Sequence, residues 1–237
     1  MAFLQSGQGR EPFLRAPPVV LALIAAIVAA HAGRMLATTA VSERIIGEYA
    51  FIPLRYSAHA LEPGGWLDRA IPFVSYMFIH ADLTHLAINC LWLLAFGSIV
   101  ARRFGTWPFL VFFLVCGVAS VAVHLAFNWE SPAAVLGASG AISGLMAAGI
   151  RMLHVPHLGA DAMRHGLVPI LSSQVLVFSL FWIAINLVFG MIGLSFSGET
   201  QSIAWQAHLG GYFTGLLLAG PFDSWAHPGE GNPPAAT

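Results

Sequence analysis

The spacing of the charged residues is the feature that most constrains the fold of this chain. Arg, Asp and Glu supply only 21 of the 237 residues. A helix needs about 20 mostly apolar residues to cross the hydrocarbon core of a bilayer, and the charges leave six windows that approach this length. They are residues 17–33, 83–101, 104–129, 131–150, about 169–192 and 202–220. The sequence therefore predicts an all-α, polytopic membrane protein with six transmembrane helices.

The composition argues against two other classes of protein. A hydrophobic content of 57% leaves too little polar surface for a soluble domain of this size. A net charge of −1, with scattered arginines and no basic cluster, offers no surface for nucleic acid. Cys90 and Cys116 lie inside apolar windows and indicate neither a disulfide framework nor a thiolate metal site. We expect a lipid bilayer as the solvent, no nucleic-acid partner, no metal and no cofactor.

The windows divide the chain into three parts. Residues 1–16 are a short cytoplasmic segment, 17–220 a six-helix membrane domain, and 221–237 a flexible tail. The first outer loop, about residues 39–81, is expected to lie on the bilayer surface. Six arginines fall on the side of the N-terminus and four on the other, which favours a cytoplasmic N-terminus in a bacterial inner membrane.

The first window also allows another interpretation. Arg10 and Arg15, the apolar stretch and the small residues around His31 fit a secretory signal with a cleavage site. Against this, apolar residues resume after Arg34, as they would in a tilted span whose arginine snorkels to the interface.

Polar residues inside a span are costly and therefore mark candidate functional sites. Asp82 is expected to cap the N-terminus of the second helix. His85 and Asn89 are four residues apart and share one face of that helix, whereas His80 precedes the cap. Two interpretations of the pair stay open: a functional site, or an interhelical hydrogen bond that holds the bundle together.

The fourth window contains a serine between glycines. Gly137 and Gly140 flank Ser139, so the backbone can turn tightly into the helix and another group can come close. Ser139 then lies near a helix N-terminus, where free amides and the helix dipole favour an oxyanion. The alternative is a small-residue helix seam with an incidental hydroxyl.

The sixth window supplies a candidate base. Gly211 and Gly215 share a face with His208 and repeat the small-x-x-x-small spacing of Gly140 and Gly144. Two such surfaces predict that the fourth and sixth helices pack with their backbones close together, which would bring His208 to the serine.

A third catalytic member is not evident in the sequence. Glu199, in a predicted loop, is the only carboxylate between residues 166 and 220. We therefore expect a Ser139/His208 dyad whose imidazole is held by backbone and aromatic contacts.

Taken together, these motifs resemble the rhomboid family of intramembrane serine proteases. The resemblance covers residues 80 to about 215 and rests on H-x4-H-x3-N, G-x-S-G and A-H-x-G-G in that order. It implies that Ser139 is the nucleophile, that His208 is the general base and then the general acid, and that His85 and Asn89 help the Ser139 amide to bind the oxyanion. Supporting roles are expected for His80, Gly137, Gly140, Ser143 and Gly211.

The sequence departs from the family pattern at two positions. Ala101 precedes Arg102 and Arg103 where the family usually has Glu, so one anchor at the inner face is missing. Ser143 stands where an aromatic residue often packs against the catalytic histidine. Ser143 is also a conceivable hydrogen-bond partner for the His208 ring, so the way this ring is held stays open.

The resemblance implies hydrolysis of a peptide bond in another membrane protein, near the outer face of the bilayer. A helical substrate must unwind locally to expose its scissile carbonyl. The loop at residues 195–200 is suited to cover the site. Aromatic residues form either a lateral gate for the substrate or a surface for lipid: Trp92 in the second helix, and Phe178, Phe181, Trp182 and Phe189 in the fifth.

Three rival functions remain. The chain could be a catalytically inactive rhomboid-like protein that binds membrane clients. It could be a small transporter with a polar pathway through His85, Asn89 and His208, although these residues cluster near the outer ends of the helices. A metal site at His154, His157 and His165 fits least well, because Asp161 is the only carboxylate near them. The substrate and the oligomeric state cannot be read from the sequence.

Overall fold

A computed structural model describes residues 16–58, 65–153, 166–192 and 204–228. Within these ranges the chain is helical, apart from short connections and one isolated antiparallel bridge between Phe51 and Val135. Several expectations lie outside the described residues: the N-terminal segment up to residue 15, the loop at 195–200, the three histidines of the inner loop and the chain after residue 228.

Three short helical elements of other types lie among the α-helices of the described residues. Pro53–Tyr56 and Tyr76–Phe78 are 3-10 turns, and Leu93–Gly97 is a π-helical turn that joins the α-helices before and after it into one segment. The α-helices are α1 (Pro18–Leu36), α2 (Thr39–Tyr49), α3 (Trp66–Ala70), α4 (Pro72–Ser75), α5 (Leu83–Trp92), α6 (Ser98–Phe104), α7 (Thr106–Phe127), α8 (Ser139–Met152), α9 (Ser173–Ile192) and α10 (Trp205–Ala226).

Each predicted window contains a helix, but only four helices of the described residues are both long and apolar enough to cross a membrane. These are Pro18–Leu36, Leu83–Phe104, Thr106–Phe127 and Ser173–Gly190. The fourth window yields α8, which has only 14 residues and a length of roughly 21 Å. The sixth yields α10, which is long enough but interrupted by glycines and polar residues. The fifth helix begins at Ser173 rather than near residue 169.

The short helix α8 lies in the centre of the bundle. All of its residues from Gly140 to Gly149 are buried, and it packs against α7 and α10. The predicted close approach to α10 is present: a Cβ on Gly144 would lie 2.9 Å from the carbonyl oxygen of Gly211. A Cβ on Gly215 would likewise lie 2.5 Å from Gly144 Cα. Only glycines allow these backbones to come so close, and this contact sets the position of α10 relative to the start of α8.

The first outer loop packs partly against the rest of the protein. The Phe51 amide donates to the Val135 carbonyl, and the Val135 amide donates back, at 3.0 and 2.8 Å. Phe51 is fully buried and packs against the rings of Tyr56 and Phe73. This contact fixes the connection between α7 and α8, which ends at Ser139.

Arg34 does not snorkel, contrary to expectation. Its guanidinium is buried and donates to the carbonyl oxygens of His80 and Ala81 at 2.6 and 3.0 Å, and to Ser42 Oγ at 3.0 Å. A buried arginine is tolerated here because two backbone carbonyls and the Ser42 hydroxyl accept from its two terminal nitrogens, although its buried Nε has no partner among the described residues. The last turns of α1 are thereby tied to the segment that precedes α5.

The far end of the bundle from Ser139 is held by an ion pair that the sequence did not reveal. Arg103 donates two hydrogen bonds to the carboxylate of Asp223, at 2.5 and 2.7 Å. Asp223 belongs to α10, which continues to Ala226, so the expected boundary of the tail at residue 221 falls inside a helix. The pair joins α6 to α10 despite the absence of Glu at position 101.

Candidate active site

Ser139 is the first residue of α8, and the turn before it needs a glycine. Gly137 has φ of +109°, a conformation that side chains strongly disfavour. A Cβ there would also lie 2.7 Å from Cε1 of His85. The Gly137 amide donates to the Tyr76 carbonyl at 2.9 Å, which fixes the turn. Ser139 is thus held at a helix N-terminus, two residues after a glycine that lies against the His85 ring.

His208 lies in the first turn of α10, directly opposite this serine. Its Nε2 is 2.7 Å from Ser139 Oγ, a normal distance for a hydrogen bond. The close packing of α10 on α8 makes this distance possible, because a Cβ on Gly211 would lie 2.8 Å from the carbonyl carbon of Gly140 and would push the two helices apart. The structure therefore brings together the two residues that the sequence predicts as nucleophile and base.

Asn186 of α9 contacts the other side of the His208 ring and was missed in the sequence. Its Oδ1 is 2.7 Å from His208 Nδ1, and its Nδ2 donates to the Trp182 carbonyl at 2.8 Å. The prediction that backbone and aromatic contacts hold the His208 ring is thus wrong at Nδ1, where the ring has a side-chain hydrogen-bond partner. A search for carboxylates overlooks Asn186, whereas the cost of a polar side chain inside a span would have marked it.

The hydrogen bonds of Asn186 also fix the tautomer of His208. Since Nδ2 is used as a donor to Trp182, the oxygen of the amide must be the atom that faces the ring. An amide oxygen only accepts, so Nδ1 of His208 carries the proton. Nε2 of a neutral ring then has a free lone pair and accepts from the Ser139 hydroxyl. This is the arrangement that a general base requires.

Ser143 has a different role from the one considered in the sequence. Its hydroxyl donates to the Ser139 carbonyl at 2.8 Å, within the first turns of α8. It is therefore not the hydrogen-bond partner that holds the His208 ring, although it lines the same cavity.

His85 and Asn89 of α5 lie beside the serine. The predicted cap is confirmed, because Asp82 Oδ1 accepts from the His85 amide at 2.8 Å. Asn89 Nδ2 donates to the His85 carbonyl at 2.9 Å, and Asn89 is almost fully buried. Both side chains line the same cavity as Ser139 and His208. Four of the five polar residues that define the three motifs therefore line one cavity, and the fifth, His80, lies behind it.

His80 supports the chain just before the serine. It is fully buried, and its Nε2 accepts from the Ala138 amide at 3.4 Å. Burial, helped by the neighbouring His85 and His31, lowers the pKa of His80 to about 3. His80 is therefore neutral near pH 7, as it must be to accept a hydrogen bond from a backbone amide.

A cavity of about 630 Å³ connects the serine to the side of the bundle between α5 and α9. Its walls are mostly apolar, and all five aromatic residues considered as a lateral gate contribute to them: Trp92, Phe178, Phe181, Trp182 and Phe189. Because these five residues line a cavity that reaches Ser139, a role as a lateral gate is favoured over lipid contact alone.

Comparison with known proteins places this geometry in a family. The model of the Rhomboid domain matches residues 68–222, well over half of the chain. The chain belongs to the rhomboid family. This confirms the resemblance predicted from the three motifs, and it makes the chain an integral membrane protein.

Known rhomboid relatives are similar over part of their length. Rhomboid protease GlpG of Yersinia pseudotuberculosis serotype I (strain IP32953) is 32% identical over 147 residues, which cover 62% of this chain and 46% of that protein. Rhomboid protease GluP of Bacillus subtilis (strain 168) is 30% identical over 156 residues, covering 66% and 26%. RHOMBOID-like protein 2 of Arabidopsis thaliana is 27% identical over 189 residues, covering 74% and 54%. The chain thus spans about half or less of these relatives.

Proposed function

We propose that this rhomboid protein is an intramembrane serine endopeptidase that hydrolyses a peptide bond of a transmembrane substrate near the outer face of the bilayer. The hydrogen bond of 2.7 Å between Ser139 Oγ and His208 Nε2 carries the proposal. It joins a hydroxyl at a helix N-terminus to an imidazole with a free lone pair, inside a cavity with mostly apolar walls. The GlpG and GluP relatives are named as proteases, which supports the same reaction.

The reaction needs one proton carrier. Ser139 Oγ attacks the scissile carbonyl carbon while its proton moves to His208 Nε2, and the carbonyl oxygen becomes an oxyanion. When the intermediate collapses, the C–N bond breaks and His208 donates the same proton to the leaving nitrogen. Water then attacks the acyl-enzyme, gives one proton to His208, and releases the carboxylic acid as Ser139 recovers its proton.

The oxyanion would be stabilised by donors that are already in position. The amide of Ser139 is free at the start of α8, and the side chains of His85 and Asn89 line the cavity next to it. Removal of one such donor typically lowers kcat by about 100- to 1000-fold. His80 and Gly137 would support the donors indirectly, by holding the turn before Ser139.

The substrate would reach the serine from the lipid. The cavity extends between α5 and α9, where Trp92, Phe178 and Phe181 line it. A transmembrane helix entering there must unwind near the serine, and Gly or Pro close to its outer end would lower the cost of unwinding. We propose this side of the bundle as the substrate entrance.

The membrane domain would consist of six helices, with α8 and α10 added to the four that meet the length and hydropathy of a span. The enclosure of α8 by its neighbours supports its place in the membrane, because its shortness then exposes little backbone to lipid. Arg102, Arg103 and Arg151 lie at the ends of α6 and α8 opposite to the serine. Their positions support a cytoplasmic N-terminus, and we propose a bacterial inner membrane as the location.

Substitution of the proposed nucleophile and base tests the function. In liposomes, Ser139→Ala and His208→Ala should each abolish cleavage of a model single-span substrate, while the thermal unfolding midpoint stays close to that of the unchanged protein. A fluorophosphonate probe should label the unchanged protein and not Ser139→Ala. Ser98→Ala is the matched control, since Ser98 is buried but does not line the cavity, and it should keep both cleavage and labelling.

Two results would contradict the proposal. Cleavage by a folded Ser139→Ala protein would point to another nucleophile. An unchanged protein that binds single-span substrates but neither cleaves them nor reacts with the probe would instead indicate an inactive, client-binding rhomboid protein.

A further inference from the structure

Asn186 is a buried polar residue in α9, which has the smallest buried share of the four long apolar helices. It lies within Ser173–Gly190, a stretch apolar enough to span a membrane, yet it is only 4% exposed. An amide in such surroundings is costly unless its donor and acceptor are both used. Here the donor is used by Trp182 and the acceptor by His208. These two hydrogen bonds fix the orientation of the amide.

We propose that Asn186 is a positioning residue for the hydrolysis reaction, which holds His208 in the tautomer and orientation needed to take the proton of Ser139. The inference rests on the proposed protease function and adds a third member to its dyad. Asn186 acts only through His208.

The chemistry of an amide suits this position. When Nε2 takes the proton of Ser139, the ring becomes an imidazolium and its Nδ1–H becomes a stronger donor. The oxygen of Asn186 already lies 2.7 Å from Nδ1 and can stabilise that charge without moving. A carboxylate would stabilise it more strongly, but the bilayer makes a buried charge expensive. A histidine oriented by an amide is also the arrangement of papain-like cysteine proteases.

The small side chain at position 143 makes this support more important. The Ser143 hydroxyl donates to the Ser139 carbonyl at 2.8 Å, so α8 provides no side-chain partner for Nδ1 of the ring. The Asn186 oxygen is the side-chain hydrogen-bond partner that the described residues provide at Nδ1. Without it, the ring could rotate about its side-chain bonds or adopt the other tautomer, which places the proton on Nε2 and removes the base.

The test separates activation of the serine from substrate binding. Labelling of Ser139 by a small fluorophosphonate measures activation, and kcat and KM are measured with a single-span substrate in liposomes. Asn186→Ala should lower the labelling rate and kcat by about 10- to 100-fold, with KM changed less than about twofold. Asn186→Asp keeps an oxygen at the same place and should restore part of this loss.

Two further variants control for structure. Ser179→Ala removes another buried hydrogen bond between α9 and α10, in which Ser179 Oγ and the Tyr212 hydroxyl oxygen lie 2.8 Å apart, and should stay within about twofold of the unchanged protein. If Asn186→Ala fails to fold, Asn186→Leu keeps the same number and branching of side-chain non-hydrogen atoms, needs no hydrogen bond in an apolar span, and should show the same loss of labelling.

The possible failures are distinguishable. If the unchanged protein is neither labelled nor active, the proposed function itself fails. If the unchanged protein is active and Asn186→Ala or Asn186→Leu retains its labelling rate, only the role of Asn186 is refuted. An equal loss in Ser179→Ala, or a change in KM alone, would also refute it, since either would mean that the residue merely holds α9 in place.

Discussion

Replacement of Gly211 by Ala should separate the two proposed catalytic side chains. Gly211 lies three residues after His208, where α10 crosses α8. A Cβ at this position would press on the carbonyl group of Gly140, at 2.8 Å from its carbon and closer still to its oxygen. Because these atoms belong to the backbone of α8, no side-chain rotation can relieve the contact. The two helices must move apart.

The size of this movement follows from ordinary contact distances. Non-bonded carbon atoms lie about 3.5–4.0 Å apart, so α10 has to retreat by roughly 0.7–1.2 Å at the crossing. The distance between Ser139 Oγ and His208 Nε2 is 2.7 Å. Added to this distance, the movement gives about 3.4–3.9 Å, too long for a useful hydrogen bond. A misplacement of about 1 Å can cost 100-fold in rate, and overpacking costs about 1–3 kcal/mol of stability.

The assay compares kcat for a single-span substrate with the thermal unfolding midpoint of each variant. Gly220→Ala is the matched control, because Gly220 lies in the same helix and no atom is within 4 Å of an added Cβ. This control should cleave normally and be as stable as the unchanged protein or more so, since Ala has the higher helix propensity. A Gly211→Ala protein that cleaves at the unchanged rate would refute the reasoning, as the helix spacing would then not set the catalytic distance.

Two further predictions concern stability. Asp223→Ala should lower the free energy of unfolding by about 1–2 kcal/mol, because the paired Arg103 and Asp223 side chains are only 22% and 19% exposed. Glu48→Ala, which breaks the exposed ion pair with Arg44, should have little effect. Equal losses of stability in the two variants would contradict a stabilising role of the Arg103–Asp223 pair. His80 has its pKa lowered to about 3 by burial, so the unfolded chain binds a proton that the folded protein does not, and stability should fall as the pH drops from about 6.5 towards 3. Unfolding midpoints in detergent across this range should fall less steeply in His80→Leu, and equal slopes would show that His80 does not carry the effect.

The sequence predicts the helices well where charge alone decides their limits. It fails where a helix end depends on a tertiary partner. The fourth window starts at residue 131, yet its first residues form the bridge between Val135 and Phe51, and the helix begins only at Ser139. The last helix passes the predicted end because Pro221 is tolerated within it and Asp223 is paired with Arg103 on α6.

In the candidate site, likewise, the features set by local spacing are predictable from the sequence and those set by tertiary packing are not. The helix face of His85 and Asn89, the cap at Asp82 and the glycine contacts between α8 and α10 depend on local spacing, which the sequence states directly. The partner of the His208 ring depends on which face of α9 turns inward, and α9 is apolar on all sides apart from a few residues. Hydrophobic periodicity cannot orient such a helix, so only the polar Asn186 itself could have indicated the inward face.

The scarcity of charge explains why the site uses neutral groups throughout. The Ser139 hydroxyl, the His208 ring, the Asn186 amide and the Trp182 carbonyl form one chain of hydrogen bonds in which each polar atom has a partner. No member of this chain needs to be ionised before a substrate arrives, so the protein avoids burying a charge beside lipid. In the proposed reaction charge would separate only when the serine attacks, and at that moment the Asn186 oxygen would face the new imidazolium while the free amide at the start of α8 would face the oxyanion. A neutral chain that polarises on attack would therefore suit the proposed reaction and would cost less in the bilayer than a permanent carboxylate.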